Sequence, residues 1–468
     1  MENLTCSVKD NIALLDFSLR PDLSFDLVKR DLVIGGRQAV LYFVDGFIKD
    51  EVFEKILEYF FKITPEEIAA IPDMQIFATT KMPYVEADWS CDAKTVETTV
   101  LSGPAVLLVD GVKGALFIDT RTYPMRSISE PDKDKSLRGS RDGFVETLVM
   151  NTAMIRRRIR DPKLRMEYLQ MSDGTKLDMA IAYIDGRADE KVVEKIKKKI
   201  TEAKVYGISM TQQAVTEIFV RGSFFNPYPR IKFTERPDYA SACILDGKIV
   251  LVIDNSPGVM IFPVSIADFL REVDDYYFPP LTGSFIRILR ILISILTVFL
   301  TPVMLYLINN PQYIPESLSF INVREPVLLP MIAQFLLLEF AINGLRMASL
   351  NTPDSLSSSL GIIGGLLLSE FAITSQWLSA EAILYMSFVT IANFTQTSIE
   401  MGYAVQFNRI MLLILVQFLG LYGLAIGTAI ILLSLLLTKT VSGRGYLYPI
   451  IPFDFKAFKA LFVRQKYE

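Results

Sequence analysis

The last third of the chain, from about Phe285 to Thr438, limits what the rest can be. Ile291–Pro315 carries no charge, and neither does Ile410–Thr438. An uncharged apolar helix of about 20 residues spans a hydrocarbon core of roughly 30 Å. Five apolar stretches lie here: Leu289–Ile308, Val327–Leu345, Leu360–Trp377, Ala382–Thr397 and Ile410–Leu437. The sequence before residue 280 is of ordinary soluble character. The pattern predicts an α+β membrane protein, with a soluble head followed by a C-terminal polytopic α-helical bundle over 285–438 and a basic tail over 439–468.

Three exclusions narrow the chemistry. The chain has no histidine, which removes Ser-His and Cys-His dyads, imidazole metal sites and the usual pH switch. Cys6, Cys91 and Cys243 are scattered without a CxxC pair, against both a disulfide framework and a structural zinc site. A net charge of −4 gives no general attraction to nucleic acid. With no P-loop and no GxSxG either, an enzyme is not expected, and no cofactor or metal is called for. Met1–Lys29 lacks an apolar core of signal-peptide type, so insertion is expected to be directed by the first membrane helix.

The head reads as a repeated plan. After a loose lead-in over 1–30, Gln38–Val44 is of strand type, and Val52, Phe53, Ile56, Leu57 and Phe60 fall at helical spacing. Ala105–Val109, Asp110-Gly111 and Ala115–Ile118 read as strand, turn, strand. Asp45–Ile56 aligns without gaps on Asp185–Ile196, with six of twelve positions identical. Cys243–Ile253, around Asp246-Gly247, is expected to echo the Val106–Ile118 hairpin. Two duplicated α/β lobes follow, over 31–125 and 176–275, joined by a connecting loop and an Arg-rich helix over 126–175. In that helix Arg156, Arg157, Arg158 and Arg160 precede Pro162. Such a cluster could hold phosphate or lipid headgroups, but it packs more often against carboxylates or across a subunit interface.

Particular residues then become recognisable. Gly143–Leu148 with Asn151–Pro162, Lys176–Asp178, Tyr183–Gly186, Asn226–Pro229, Glu235–Asp238, Pro257–Pro263 and Tyr446–Pro452 resemble the hallmarks of the GerA-type spore germination family, receptor A subunits. Tyr123–Lys135 and Arg138–Gly143 look most like its SpoVAF branch. The resemblance implies an integral, multi-pass protein of the spore inner membrane, with head and tail facing the spore core. It implies a homo-oligomeric, channel-forming subunit, a ring in membrane lipid, that mediates or amplifies cation release alongside other spore membrane germination proteins. The rival reading is a non-conducting scaffold or relay subunit coupled to a partner channel.

For mechanism, the Lys and Arg bias places both ends of the bundle on the cytoplasmic side, which demands an even number of crossings. That gives four spans with Val327–Leu345 re-entrant, or six if Ile410–Leu437 breaks near Gly420, Gly423 and Gly427 into a hairpin. Pore-lining candidates are Ser355, Ser358, Ser359, Ile362, Gly365 and Ser369, on a small-residue helix that could equally be a close-packing face. Glu370 and Glu339 are costly at membrane depth. They are candidates for an ion pathway, or, more plainly, protonated or Arg346-paired structural groups.

Overall fold

The structure is a computed structural model that describes residues 3–123, 140–171, 176–203, 211–220, 226–272, 274–323, 327–351, 373–396 and 398–463. It divides into two compact units. One comprises residues 1–221 with 231–263, and the other residues 222–230 with 264–468.

The first unit holds two sheets with the same plan. The first runs through β1 (Leu27–Ile34), β2 (Arg37–Val44), β3 (Ala87–Ser90), β4 (Ala105–Val109) and β5 (Ala115–Ile118). Its strand order is β1-β2-β4-β5-β3. The second is built from β6 (Leu164–Gln170), β7 (Asp178–Ile184), β8 (Lys232–Thr234), β9 (Ile249–Ile253) and β10 (Val259–Phe262), in the order β6-β7-β9-β10-β8. The described ladders are antiparallel. Gly35 and Gly36, both at positive φ, join β1 to β2 with Ile34 opposite Arg37. Two successive left-handed residues match the twist of a two-residue hairpin.

The repeat begins earlier than the sequence suggested. Residues 1–30 are not a loose lead-in, because helix α1 (Val8–Leu19) and the start of β1 lie within them. Likewise the connecting stretch 126–175 contains β6, which belongs to the second sheet. Helix α1 buries Val8, Asn11, Leu15 and Leu19. Asn11 sits where the apolar period wants a hydrophobe, which is why the period is faint. Its amide brackets the incoming chain, donating to the Thr5 carbonyl (2.8 Å) and accepting from the Thr5 N–H (2.9 Å). Helices α2 (Asp50–Phe60) and α3 (Ala93–Ser102) follow in the first lobe, and α4 (Leu148–Arg158), α5 (Glu190–Thr201) and α6 (Pro237–Leu245) belong to the second. Asn151 in α4 brackets Val145 in the same way, at 2.5 and 2.8 Å. The N-termini match as well, since Val8 N–H donates to Asp110 and Leu148 N–H to Asp254, both at 3.0 Å. A carboxylate there supplies an acceptor to one of the orphan first-turn N–H groups.

The matched hairpin lies elsewhere than expected. Cys243–Ile253 is not strand-turn-strand: residues 237–245 form a helix, entered through Pro237 at its first position. Asp246-Gly247 is the end of that helix, with Gly247 at φ +83 and the Gly247 N–H returning to the Ile244 carbonyl. The true counterpart of Asp110-Gly111 is Asp254-Asn255, between β9 and β10. Asp-Gly serves both turns and helix ends, so the dipeptide alone does not distinguish them.

The second unit is helical. Its long elements are α7 (Pro280–Asn309), α8 (Met331–Asn351), α9 (Ala380–Asn393), α10 (Ile399–Leu419) and α11 (Leu421–Leu437), followed by the short α12 (Phe455–Phe462). Among the described residues, three helices are long and apolar enough to cross a membrane: Pro280–Asn309, Met331–Ala348 and Ile399–Leu419. Helices α9 and α11 are apolar but shorter. Leu305, Phe335, Leu338, Met386, Leu413 and Val416 form the shared apolar core.

The two stretches left open by the sequence take definite local forms. Val327–Leu345, expected to be re-entrant, is from Met331 onward part of one continuous helix of 21 residues that starts directly after Pro330 and is long and apolar enough to cross a membrane. Ile410–Leu437 takes the second of the two forms expected for it: the chain turns at Gly420 (φ +57), and the first half completes a helix begun at Ile399. Helices α10 and α11 then fold back on each other. A Cβ on Gly423 would stand 2.0 Å from the Leu415 carbonyl oxygen, a backbone atom that cannot move aside. Gly423→Ala should therefore cost about 1–3 kcal/mol through overpacking, read as a lowered melting temperature in detergent. Gly344→Ala on α8 is the control: no described residue lies within 4 Å of where its Cβ would stand, and it should be neutral or stabilising.

Candidate functional site: a buried ion pair in the helical unit

Helix α10 presents two polar side chains on its buried face, Gln406 and Arg409, among Val405, Leu412, Leu413 and Val416. Its N-terminus is fixed by Ser398, whose hydroxyl accepts from the Met401 N–H (3.1 Å). From this face Arg409 Nε donates to Glu339 Oε1 on α8 (2.5 Å), and Gln406 Nε2 donates to the other carboxylate oxygen (2.8 Å). Arg409 Nη1 reaches the Thr297 carbonyl on α7 (3.2 Å). One guanidinium thus ties three helices together. The Arg409 and Glu339 side chains are 3% and 5% exposed.

Ionised groups are held this deep only when paired and hydrogen-bonded. Both oxygens of Glu339 are satisfied, so the group is a structural counter-ion to Arg409. The counter-ion of Glu339 is Arg409, where the sequence reading offered Arg346. Arg346 stacks its guanidinium over Phe394 (5.4 Å) and Tyr403 (5.3 Å). Beside the pair lies a small cleft lined by Glu339, Asn343, Arg346, Thr390, Asn393, Gln406 and Arg409, among others. Its free space of roughly 30 Å³ suits one or two waters. Among its described side chains two carry positive charge and one negative. Asn393 Oδ1 is buried there without a hydrogen-bond partner among the described residues.

A second charged network holds the base of α7. Asp275, fully buried, accepts from Arg287 Nε (3.1 Å) and from Arg290 Nη1 (3.1 Å), while Arg290 Nη2 donates to Glu272 (2.8 Å). Residues 226–230 also belong to this unit. Asn226 Nδ2 donates to Thr438 Oγ1 (2.7 Å), and Asn408 Nδ2 donates to the Tyr228 hydroxyl (2.9 Å). Tyr228 thereby touches the residue next to Arg409.

Of the residues singled out from sequence, Glu339 stands at this site. Ser355, Ser358, Ser359, Ile362, Gly365, Ser369 and Glu370 lie outside the described residues. In the head, Arg156 is not placed to meet a second copy: it is fully buried, forked onto Asp26 through Nε (2.6 Å) and Nη2 (3.0 Å). Arg158 is engaged with Asp142, whose carboxyl burial pushes up but whose hydrogen bonds from Arg158 and Ser140 hold below the usual range. Arg157 lies over the Tyr123 ring at 4.4 Å, and Arg160 donates to Ser102 Oγ (3.3 Å); both stay exposed. Arg409, Gln406, Asp26 and Asp275 were not found by sequence reasoning. Arg409 had a signal, being the charge that stops the apolar run at Ile410, and such a charge requires a counter-ion. Among the described residues no group of three or more Cys, Asp or Glu side chains is placed to hold a metal.

Comparison with known proteins bears on what this arrangement serves. Stage V sporulation protein AF of Bacillus subtilis is 33% identical over 446 residues, covering 94% of this chain and 89% of that protein. Spore germination protein A1 of the same organism is 27% identical over 445 residues, covering 94% and 90%. Among solved structures, the N-terminal domain of the A subunit of the Bacillus megaterium spore germinant receptor GerK3 is 23% identical, with a TM-score of 0.41, covering 56% of this chain and 96% of that one. The family model described as Bacillus/Clostridium GerA spore germination protein matches residues 16–468. With that match running through both the lobes and the helical unit, the chain belongs to the GerA family of spore germination proteins.

Proposed function

We propose that this chain is an oligomeric, channel-forming subunit of the spore inner membrane that mediates or amplifies cation release during germination. The observation that carries the reading is the GerA family match over residues 16–468 in a chain with helices long and apolar enough to cross a membrane and with polar and charged side chains held among them. Ionisable groups kept at membrane depth mark pathways or switches. In this reading the small-residue stretch from Ser355 to Glu370 lines the axis, and Arg157 and Arg160 contact neighbouring copies. Residues 226–230, which belong to the helical unit yet lie in the chain between strands of the head, act as the covalent lever between them. Both ends of the bundle face the spore core, and other germination membrane proteins are its partners.

One observation favours the second reading, a non-conducting relay subunit. Glu339 is already neutralised by Arg409, so it offers passing cations no free charge. Reconstitution of the full-length protein in liposomes separates the two. Conduction predicts potassium or sodium flux that rises on Ile362→Ala, with an oligomer in mild detergent. A monomer without flux, in wild type and Ile362→Ala alike, establishes the relay reading.

A further inference from the structure

We propose that helix α12 and the aromatic loop before it form an interfacial anchor that lies on the bilayer surface and binds anionic lipid headgroups. The inference rests on placing the helical unit in a membrane, and not on conduction. Helix α12 is well defined at its start. Asp454 caps it, accepting from the Ala457 N–H (3.0 Å) and from the Tyr448 hydroxyl (2.9 Å), which holds its carboxyl below the usual range. Leu461 is buried, and the Phe458 ring packs tilted against Phe453 and edge-on against Phe462, with centroids at 5.5 and 5.2 Å. Outward, Phe455, Lys459 and Val463 recur every four residues with Lys456 beside them, and all four are exposed. Ile450, Ile451 and Phe453 extend the exposed apolar surface into the preceding loop.

The height of this surface is set by two arginines. Arg271 Nη2 donates to the Ala457 carbonyl (3.4 Å) and Arg287 Nη1 to the Ala460 carbonyl (3.0 Å). Arg287 is itself clamped on buried Asp275. Arg287 lies near the start of α7, where the outer face reads Leu281, Phe285, Ile288 and Leu292, each exposed. That face is the beginning of the lipid-facing wall. Helix α12 is therefore held beside the level at which lipid begins, with phenylalanines and lysines side by side. An apolar face sunk to the acyl boundary, with lysine stems reaching up to headgroups, is the arrangement of an interfacial helix. Lys456 and Lys459 supply the complement to an anionic surface.

The test uses the full-length protein with Cys6, Cys91 and Cys243 replaced by serine. One environment-sensitive fluorophore is placed at Phe455→Cys and, in a separate variant, at Val463→Cys. Each is read in detergent, in phosphatidylcholine nanodiscs and in nanodiscs containing phosphatidylglycerol. The expected result is a blue shift on entering nanodiscs and quenching by lipids carrying a nitroxide near the headgroup, both larger with phosphatidylglycerol. Lys456→Glu with Lys459→Glu should abolish the phosphatidylglycerol increment while leaving the melting temperature unchanged. Emission that stays water-like at both positions overturns the proposal, as does a blue shift equal in the two lipids. Shielding already present in detergent and insensitive to nitroxide lipid also overturns it, and assigns the face to a second copy. None of these readouts involves flux, so failure of conduction leaves the result interpretable.

Discussion

Arg409→Ala should destabilise the helical unit by about 3–5 kcal/mol, the range for breaking a buried ion pair by removing one partner. The substitution strands Glu339, 5% exposed at its side chain, with the Gln406 amide as its remaining hydrogen-bond partner among the described residues. It also releases the Thr297 carbonyl, so the three-helix tie is lost in one step. The measurement is thermal unfolding in detergent. Glu339→Leu combined with Arg409→Met is the informative companion, because removing both charges together leaves nothing ionised to bury. The double variant should recover most of the loss, and the cycle between single and double variants then reports the coupling. A double variant as unstable as Arg409→Ala would mean that shape, not charge, holds these helices.

Arg156→Met should have an effect of similar size, about 3–5 kcal/mol, in the two-lobed unit. Arg156 and Asp26 are 0% and 1% exposed, and each makes its charged contact with the other. Arg156 also donates to the Leu164 carbonyl (3.3 Å), at the start of β6. Asp26 stands just before β1, and the adjacent Phe25 N–H bonds to the Met166 carbonyl in β6 (3.0 Å). The pair therefore locks the edge strand of one sheet against that of the other. Hydrogen exchange on the full-length protein should show β1 and β6 losing protection together. Lys198→Ala removes an exposed pair with Glu202 and serves as control, with an expected change within about 0.5 kcal/mol.

Local features of the fold were legible in the residues. The gapless match of Asp45–Ile56 to Asp185–Ile196 announced the repeat, and the structure extends it to paired asparagines at 11 and 151. It missed α1 because a buried asparagine interrupts the apolar period, and a polar group hidden by hydrogen bonds looks like a surface residue in sequence. The hairpin at Asp246-Gly247 was misplaced because helix ends and strand turns share the same left-handed glycine. In the bundle, the apolar runs announced membrane helices, but hydrophobicity does not mark where a run turns back. The sequence left open whether Ile410–Leu437 is one span or a hairpin broken near Gly420, and the structure places the turn at Gly420.

What the sequence determined by itself is the division into a repeated α/β head and an apolar helical region, because period, hydrophobicity and turn chemistry act over a few neighbouring residues. What the tertiary structure decided is the pairing of charges. Glu339 meets Arg409 across 70 residues, and Asp26 meets Arg156 across 130. Nothing in the spacing of these residues selects a partner. A buried charge takes whichever opposite charge the packed helices and strands bring within hydrogen-bond reach, and that proximity exists only once the chain has folded.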